Sequence, residues 1–89
     1  MELKDLRCQI DRIDEDLIDL LQQRMDLCAE IAHIKKERKL PVYDPARERE
    51  KLHELCGKVT KDREAYITAL YSLLFELSRT EQERIINQD

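Results

Sequence analysis

The fold is decided by the stretch LKDLRCQIDRIDEDLIDLLQQRMDLCAEIAHIKKERK, residues 3–39. Its apolar residues recur at alternating spacings of three and four, a repeat typical of an amphipathic helix that packs along another helix. The repeat consists of Leu3, Leu6, Ile10, Ile13, Leu17, Leu20, Leu27, Ile31 and Ile34, and it is broken at Arg24. Since no glycine or proline interrupts it, the stretch predicts one helix of about 37 residues and about 55 Å.

That helix is too long for one chain of this size to cover. The chain has 89 residues, and a compact globule of that length is only about 30 Å across. We therefore expect residues 1–89 to form a single domain whose long helix is shared with a second copy. The predicted assembly is an intertwined helical homodimer.

The next stretch, KLPVYDPARERE, residues 39–50, ends the long helix and begins a short one. Pro41 stops the first helix, Asp44 is a candidate N-cap, and Pro45 suits the first helical position, where its missing N–H is tolerated. We expect this second helix over residues 45–56.

Two further residues mark the third helix, which we expect over residues 63–86. Gly57 is a candidate C′ glycine at which the second helix ends. Asp62 is a candidate N-cap for the third. The predicted fold is all-α, with one very long, one short and one medium helix.

Composition narrows the class of function. The chain is 40% charged and 42% hydrophobic with a net charge of −4, and its basic residues form no one-signed face, which argues against binding nucleic acid. It has no apolar run of membrane-spanning length and no signal-like N-terminus. Its three cysteines have neither metal-site nor disulfide-framework spacing, which favours the reducing cytoplasm and predicts no metal.

Two cations on the long helix could bind an anion. Arg24 stands where the repeat favours an apolar residue, so it is either paired with a nearby carboxylate or holds the carboxylate or phosphate of a ligand. Lys35 returns to nearly the same face about 16 Å further along the axis, with Cys28 and Ile31 between them. It is either a solvated surface charge or the second cation of a site for a small dianion.

Other polar residues allow the same two interpretations. Arg7 lies about 25 Å before Arg24 on the helix, so it is either a surface cation or a contribution to the partner's site. Arg47 and Glu48 are either solvated charges or part of a ligand site at the start of the second helix. Ser78 and Gln82 face the same way, as either the polar border of an apolar stripe or two hydrogen-bonding groups in a cleft. The two histidines are interpreted as surface residues.

In their order along the chain, these candidate site residues resemble those of the all-helical chorismate mutase family, in which two three-helix chains interlock. The resemblance runs through LRCQIDRIDEDLIDLLQQRM, EIAHIKK, PVYDPARERE and YITALYSLLFELSRTEQ. It implies a pericyclic Claisen rearrangement of chorismate to prephenate, the committed step toward phenylalanine and tyrosine. It implies no cofactor, because the reaction needs no acid, base or covalent intermediate.

The resemblance also implies a role for each site residue. Arg24 and Arg7 of the other chain would hold one substrate carboxylate, and Arg47 with Ser78 the other. Lys35 and Gln82 would donate to the ether oxygen. Glu48 would accept from the ring hydroxyl, and Asp44 would present its backbone N–H there. The apolar wall would consist of Ile31, Leu74, Phe75 and Arg79.

Two other functions remain open at this point. An isochorismate pyruvate-lyase of the same fold is the nearer alternative, although Glu48 favours the mutase because the lyase branch is expected to lack a carboxylate there. A non-catalytic helical dimerisation or regulatory module would explain the long helix, but not the ordered site set. The sequence does not decide whether the chain is a free-standing enzyme or part of a bifunctional protein.

Overall fold

A computed structural model describes residues 2–88, and the chain in it is all-α. Three α-helices follow one another as α1 (Leu3–Arg38), α2 (Pro45–Cys56) and α3 (Glu64–Ile86), with a 3₁₀ turn at Lys61–Arg63 before α3. The chain measures 54 × 28 × 14 Å. Because α3 packs against both α1 and α2 and so lies between them, the helices form a single layer. Such a layer leaves both of its faces without cover from the same chain.

The first helix runs uninterrupted for 36 residues and ends at a left-handed residue. Lys39 has φ 57° and ψ 41°, and the Leu40 N–H donates back to the Lys35 carbonyl at 2.8 Å. Pro41 disfavours helical geometry at the residue before it, so the helix cannot continue past Lys39. The cap is a lysine where glycine or asparagine is usual.

The start of α2 has the predicted cap. The Asp44 carboxylate accepts from the Arg47 N–H at 3.1 Å, and Pro45 takes the first helical position. The other end lies where it was predicted, without the left-handed geometry that a C′ glycine usually has. Gly57 follows α2, but its φ of −69° is right-handed, and its N–H simply continues the helical bonding to the His53 carbonyl at 3.2 Å.

The predicted cap of α3 was wrong. Asp62 lies inside the 3₁₀ turn, Arg63 occupies the N-cap position, and no side chain caps the helix. The turn closes through a bond from the Arg63 N–H to the Thr60 carbonyl at 2.9 Å. This tighter turn supplies the entry to α3 that Asp62 was expected to provide.

Burial within the chain is slight. Among residues 2–88 the buried side chains are Cys28, Ala32, Gln82 and Ile85, where α1 and α3 meet. Many large apolar side chains stay exposed, including Ile13 at 58% and Leu17 at 54%. None of the described helices combines the length and the apolar character needed to cross a bilayer. A chain with so small a core depends on further burial for stability.

Candidate active site

One cleft of about 550 Å³ lies where the three helices and the loop before α2 converge. Its lining comes from α1 (Arg24, Leu27, Cys28, Ile31, Lys35), the loop and α2 (Val42, Asp44, Arg47, Glu48, Lys51) and α3 (Phe75, Ser78, Arg79, Gln82). Most of the residues singled out in the sequence therefore face one space, although they are spread over nearly sixty positions.

Two of the predicted residues lie elsewhere. Arg7 is exposed on the first part of α1 and does not line the cleft. Leu74 is half-buried, but the apolar wall from α3 is provided by Phe75 instead.

Of the basic residues of α1, Arg24 and Lys35 line the cleft. Lys35 donates from Nζ to the Val42 carbonyl at 2.9 Å, so its ammonium is held under the loop that leads into α2. Arg24 is half-buried, and no carboxylate within residues 2–88 forms an ion pair with it. Its guanidinium is thus available for an anion from outside the described chain.

The first turn of α2 presents opposite charges to the same space. The cap at Asp44 orients this turn, so that Arg47 and Glu48 both line the cleft. The Glu48 carboxylate is already occupied, since Arg79 Nη1 lies 2.6 Å from each of its oxygens. This hydrogen bond is the main reason that the pKa of the Arg79 guanidinium is raised.

A short chain of hydrogen bonds joins α3 to the cleft floor. Gln82 Nε2 donates to the Ser78 hydroxyl oxygen at 3.1 Å, and that hydroxyl lies 3.0 Å from the Cys28 thiol. Gln82 is only 6% exposed, and its Oε1 has no hydrogen-bond partner within the described residues. A buried polar atom without a partner is costly in a closed protein, so this amide fits a site that is completed by another molecule.

Sequence reasoning missed two features of the cleft. Arg79 was assigned to the apolar wall, but it forms an ion pair with Glu48 and its Cζ lies 5.1 Å from the centre of the Tyr43 ring. Cys28 was assigned only to the floor, but its thiol contacts Ser78. Both the ion pair and the thiol contact join residues on different helices. A helical repeat predicts which face of a helix a side chain lies on, but not which residue of another helix it contacts.

The lining has the chemistry of an anion site with an apolar surface. Cationic side chains come from Arg24, Lys35, Arg47, Lys51 and Arg79, whereas the acidic ones are Asp44 and Glu48. Leu27, Ile31, Val42 and Phe75 supply apolar area. A small molecule with two negative groups and an apolar ring would be complementary to this cleft.

A comparison with protein families shows which family this chain belongs to. The family described as chorismate mutase type II matches residues 6–83. The chain belongs to this family. Every residue that lines the cleft of this type II chorismate mutase family member lies within the matched range.

Individual relatives agree with this assignment. The chain is 27% identical over 90 residues to a chorismate mutase of Methanocaldococcus jannaschii, covering 98% of this chain and 90% of that protein. It is 51% identical over 49 residues to a bifunctional chorismate mutase/prephenate dehydratase of Aquifex aeolicus, covering 55% of this chain and 14% of that protein. The corresponding bifunctional protein of Escherichia coli K12 is 36% identical over 85 residues, which is 93% of this chain and 22% of that protein.

The chain therefore spans less than a quarter of the two bifunctional relatives. No solved structure matches it. The match to the archaeal protein, in contrast, runs over nearly the whole of both chains.

Proposed function

We propose that this chain catalyses the Claisen rearrangement of chorismate to prephenate. One observation carries the proposal: Arg24, Lys35, Arg47, Glu48 and Gln82 line a single cleft in a member of the chorismate mutase family. The reaction is unimolecular, so a protein accelerates it by holding the reactive conformer and by stabilising the charge that develops. A preorganised cationic cleft can do both.

The two substrate carboxylates bind to the arginines. Arg24 and Arg47 have no acidic partner within residues 2–88, and a guanidinium binds a carboxylate through two parallel hydrogen bonds. Arg24 holds one carboxylate, and Arg47 together with Ser78 holds the other. Binding at two points fixes the side chain of the substrate over its ring, which is the geometry that the reaction needs.

Lys35 and Gln82 act on the ether oxygen. The Lys35 ammonium has three hydrogens and the Gln82 amide nitrogen has two, and within the described residues each gives one of them to the protein, to Val42 and to Ser78. The remaining hydrogens donate to the oxygen as its bond to carbon breaks. Because negative charge grows there only in the transition state, these bonds lower the barrier more than they stabilise the bound substrate.

The ring of the substrate lies between polar and apolar side chains. Glu48 accepts from the ring hydroxyl, and Asp44 presents its backbone N–H to the same group. Ile31 and Phe75 contact the apolar face of the ring. These contacts orient the ring relative to the side chain that the arginines hold.

The active assembly in this proposal is a homodimer that shares its sites. The apolar residues of the first part of α1 are exposed, Leu3 by 61% and Ile10 by 55%, and a second copy would cover them. If two α1 helices pack antiparallel about a twofold axis that passes midway between residues 7 and 24, residue 7 of one lies beside residue 24 of the other. Arg7 then joins Arg24 of the partner at the same carboxylate.

The test is conversion of chorismate by the purified protein, with product identification and with isochorismate as a parallel substrate. We expect prephenate from chorismate. Pyruvate from isochorismate without prephenate from chorismate would replace the mutase by the lyase. No turnover of either substrate by a folded dimer would leave a non-catalytic helical module as the better interpretation.

A further inference from the structure

We propose that Arg79 is a positioning residue that acts through Glu48. It holds the Glu48 carboxylate in one place and balances its charge, so that a doubly negative substrate can use that carboxylate as a hydrogen-bond acceptor. The inference rests on the proposed function, because it concerns the group that receives the ring hydroxyl of chorismate. It gives Arg79 a role different from that of an apolar wall.

The contact between the two side chains links two helices. Glu48 lies in the first turn of α2 and Arg79 lies on α3, 31 positions later. Arg79 Nη1 is 2.6 Å from both Oε1 and Oε2 of Glu48. The side chains are 29% and 23% exposed for Arg79 and Glu48, so solvent screens this pair less than an ion pair on the open surface. The carboxylate is thus fixed from across the cleft.

Arg79 is held on a second side as well. Its Cζ lies 5.1 Å from the centre of the Tyr43 ring, within the range of a cation–π contact. Tyr43 directly precedes Asp44, the residue that caps α2. The loop, α2 and α3 therefore meet at one guanidinium, and an arginine in this setting remains charged throughout the working pH range.

Charge balance gives the contact its functional meaning. A free carboxylate in the cleft would repel a substrate that carries two carboxylates of its own, and in a partly desolvated site such repulsion is strong. The adjacent guanidinium cancels this repulsion. A carboxylate has about four acceptor positions, and one guanidinium nitrogen between the two oxygens leaves the outer ones free. Glu48 can therefore still accept from a hydroxyl.

The experiment is a double-mutant cycle with Arg79→Met, Glu48→Gln and the double variant in the full chain. The Kd is measured by calorimetry with prephenate, the product, which keeps both carboxylates and the ring hydroxyl and is not consumed, and kcat and KM are measured by prephenate formation from chorismate. We expect Arg79→Met to raise Kd and KM about tenfold and to lower kcat by less than about threefold, because it restores ground-state repulsion. In the Glu48→Gln background the same change should alter Kd by less than about twofold, since no carboxylate is left to balance.

Two variants keep the result interpretable. Arg79→Lys keeps the positive charge, so it should recover most of the affinity that Arg79→Met loses. Arg84→Met is the matched control on the same helix, since Arg84 pairs with Glu81 and neither residue lines the cleft. It should leave Kd and kcat unchanged. Circular dichroism verifies that each variant keeps its helices.

The outcomes separate this inference from the proposed function. An equal loss from Arg79→Met in both backgrounds would overturn it, because Arg79 would then act on the substrate directly. An unchanged Kd in Arg79→Met would overturn it too. Wild-type protein that binds prephenate without forming it from chorismate would overturn the proposed function alone, since the cycle of Kd values is still measurable. Wild-type protein that neither binds prephenate nor forms it would overturn both.

Discussion

The two parts of α1 carry the same apolar repeat in different surroundings. Over residues 3–23 every side chain is exposed, whereas residues 24–38 include the buried Cys28 and Ala32 and one wall of the cleft. The difference arises because α3 of the same chain covers only the second part. The buried pair lies beside the repeat, whose members Leu27, Ile31 and Ile34 stay exposed in this chain. An apolar repeat thus identifies a helix but not the partner that covers it.

The largest effect is expected where the exposed part is changed. Ile13→Asp combined with Leu17→Asp places carboxylates on the face that a second copy would cover. Because burying an unpaired charge is so costly, we expect the dimer dissociation constant to rise by at least about 1000-fold. Sedimentation velocity measures this directly. Glu15→Ala, on the opposite side of α1, is the control, and a double variant that stays dimeric would refute the proposed interface.

A change in the second part of α1, residues 24–38, should lower the reaction rate without affecting dimer formation. Lys35→Ala removes a donor to the ether oxygen, so kcat should fall by at least about 100-fold. Steady-state kinetics provides the measurement. Lys36→Ala is the matched control, because this neighbour bonds to the Gln88 carbonyl outside the cleft. Near-normal turnover by Lys35→Ala would remove Lys35 from the mechanism.

A third experiment joins the two parts of the helix. Arg7→Ala and Arg24→Ala chains should each be inactive alone, and mixing and refolding them should restore activity. If dimers form at random, about a quarter of the sites receive both arginines, because half of the dimers are mixed and each mixed dimer has one intact site. Activity assays before and after mixing give the answer. Well-folded mixed dimers without recovery would argue against a shared site.

The smallest effect concerns pH. An amide donates at any ordinary pH, so Gln82 should make the rate independent of acid, with a change of less than about threefold between pH 8 and pH 5. A pH profile of kcat tests this expectation. Gln82→Glu sharpens the comparison, since a carboxyl group must be protonated to donate and its activity should rise as the pH falls. A steep rise for the unchanged protein would contradict the assignment of Gln82.

Much of the fold is predictable from the sequence because its signals are local. The 3,4 repeat, the absence of glycine and proline, and the Asp44–Pro45 pair are sufficient for an all-α chain with one long and two shorter helices. Several cleft residues are predictable from the sequence for a related reason. Arg24 is visible because it breaks an apolar repeat, and Ser78 and Gln82 are visible because they share one helix face.

The remaining features depend on contacts that the sequence does not specify. Lys39 takes a left-handed conformation at the end of α1, although lysine itself gives no such signal. Asp62 has the chemistry of a cap, but the 3₁₀ turn places it one position too early. The pairing of Glu48 with Arg79 crosses from α2 to α3, and no pattern within one helix could predict it.

The two contacts of Lys35 limit where the chain tolerates insertions and deletions. Its carbonyl accepts from Leu40, and its ammonium donates to the Val42 carbonyl, so both of its ends are tied to the connection between α1 and α2. An insertion or deletion in residues 39–44 would shift this ammonium even if every helix stayed intact. The connection at residues 57–63 contributes no side chain to the cleft. Length variation among descendants of this sequence should therefore accumulate in the second connection and be rare in the first.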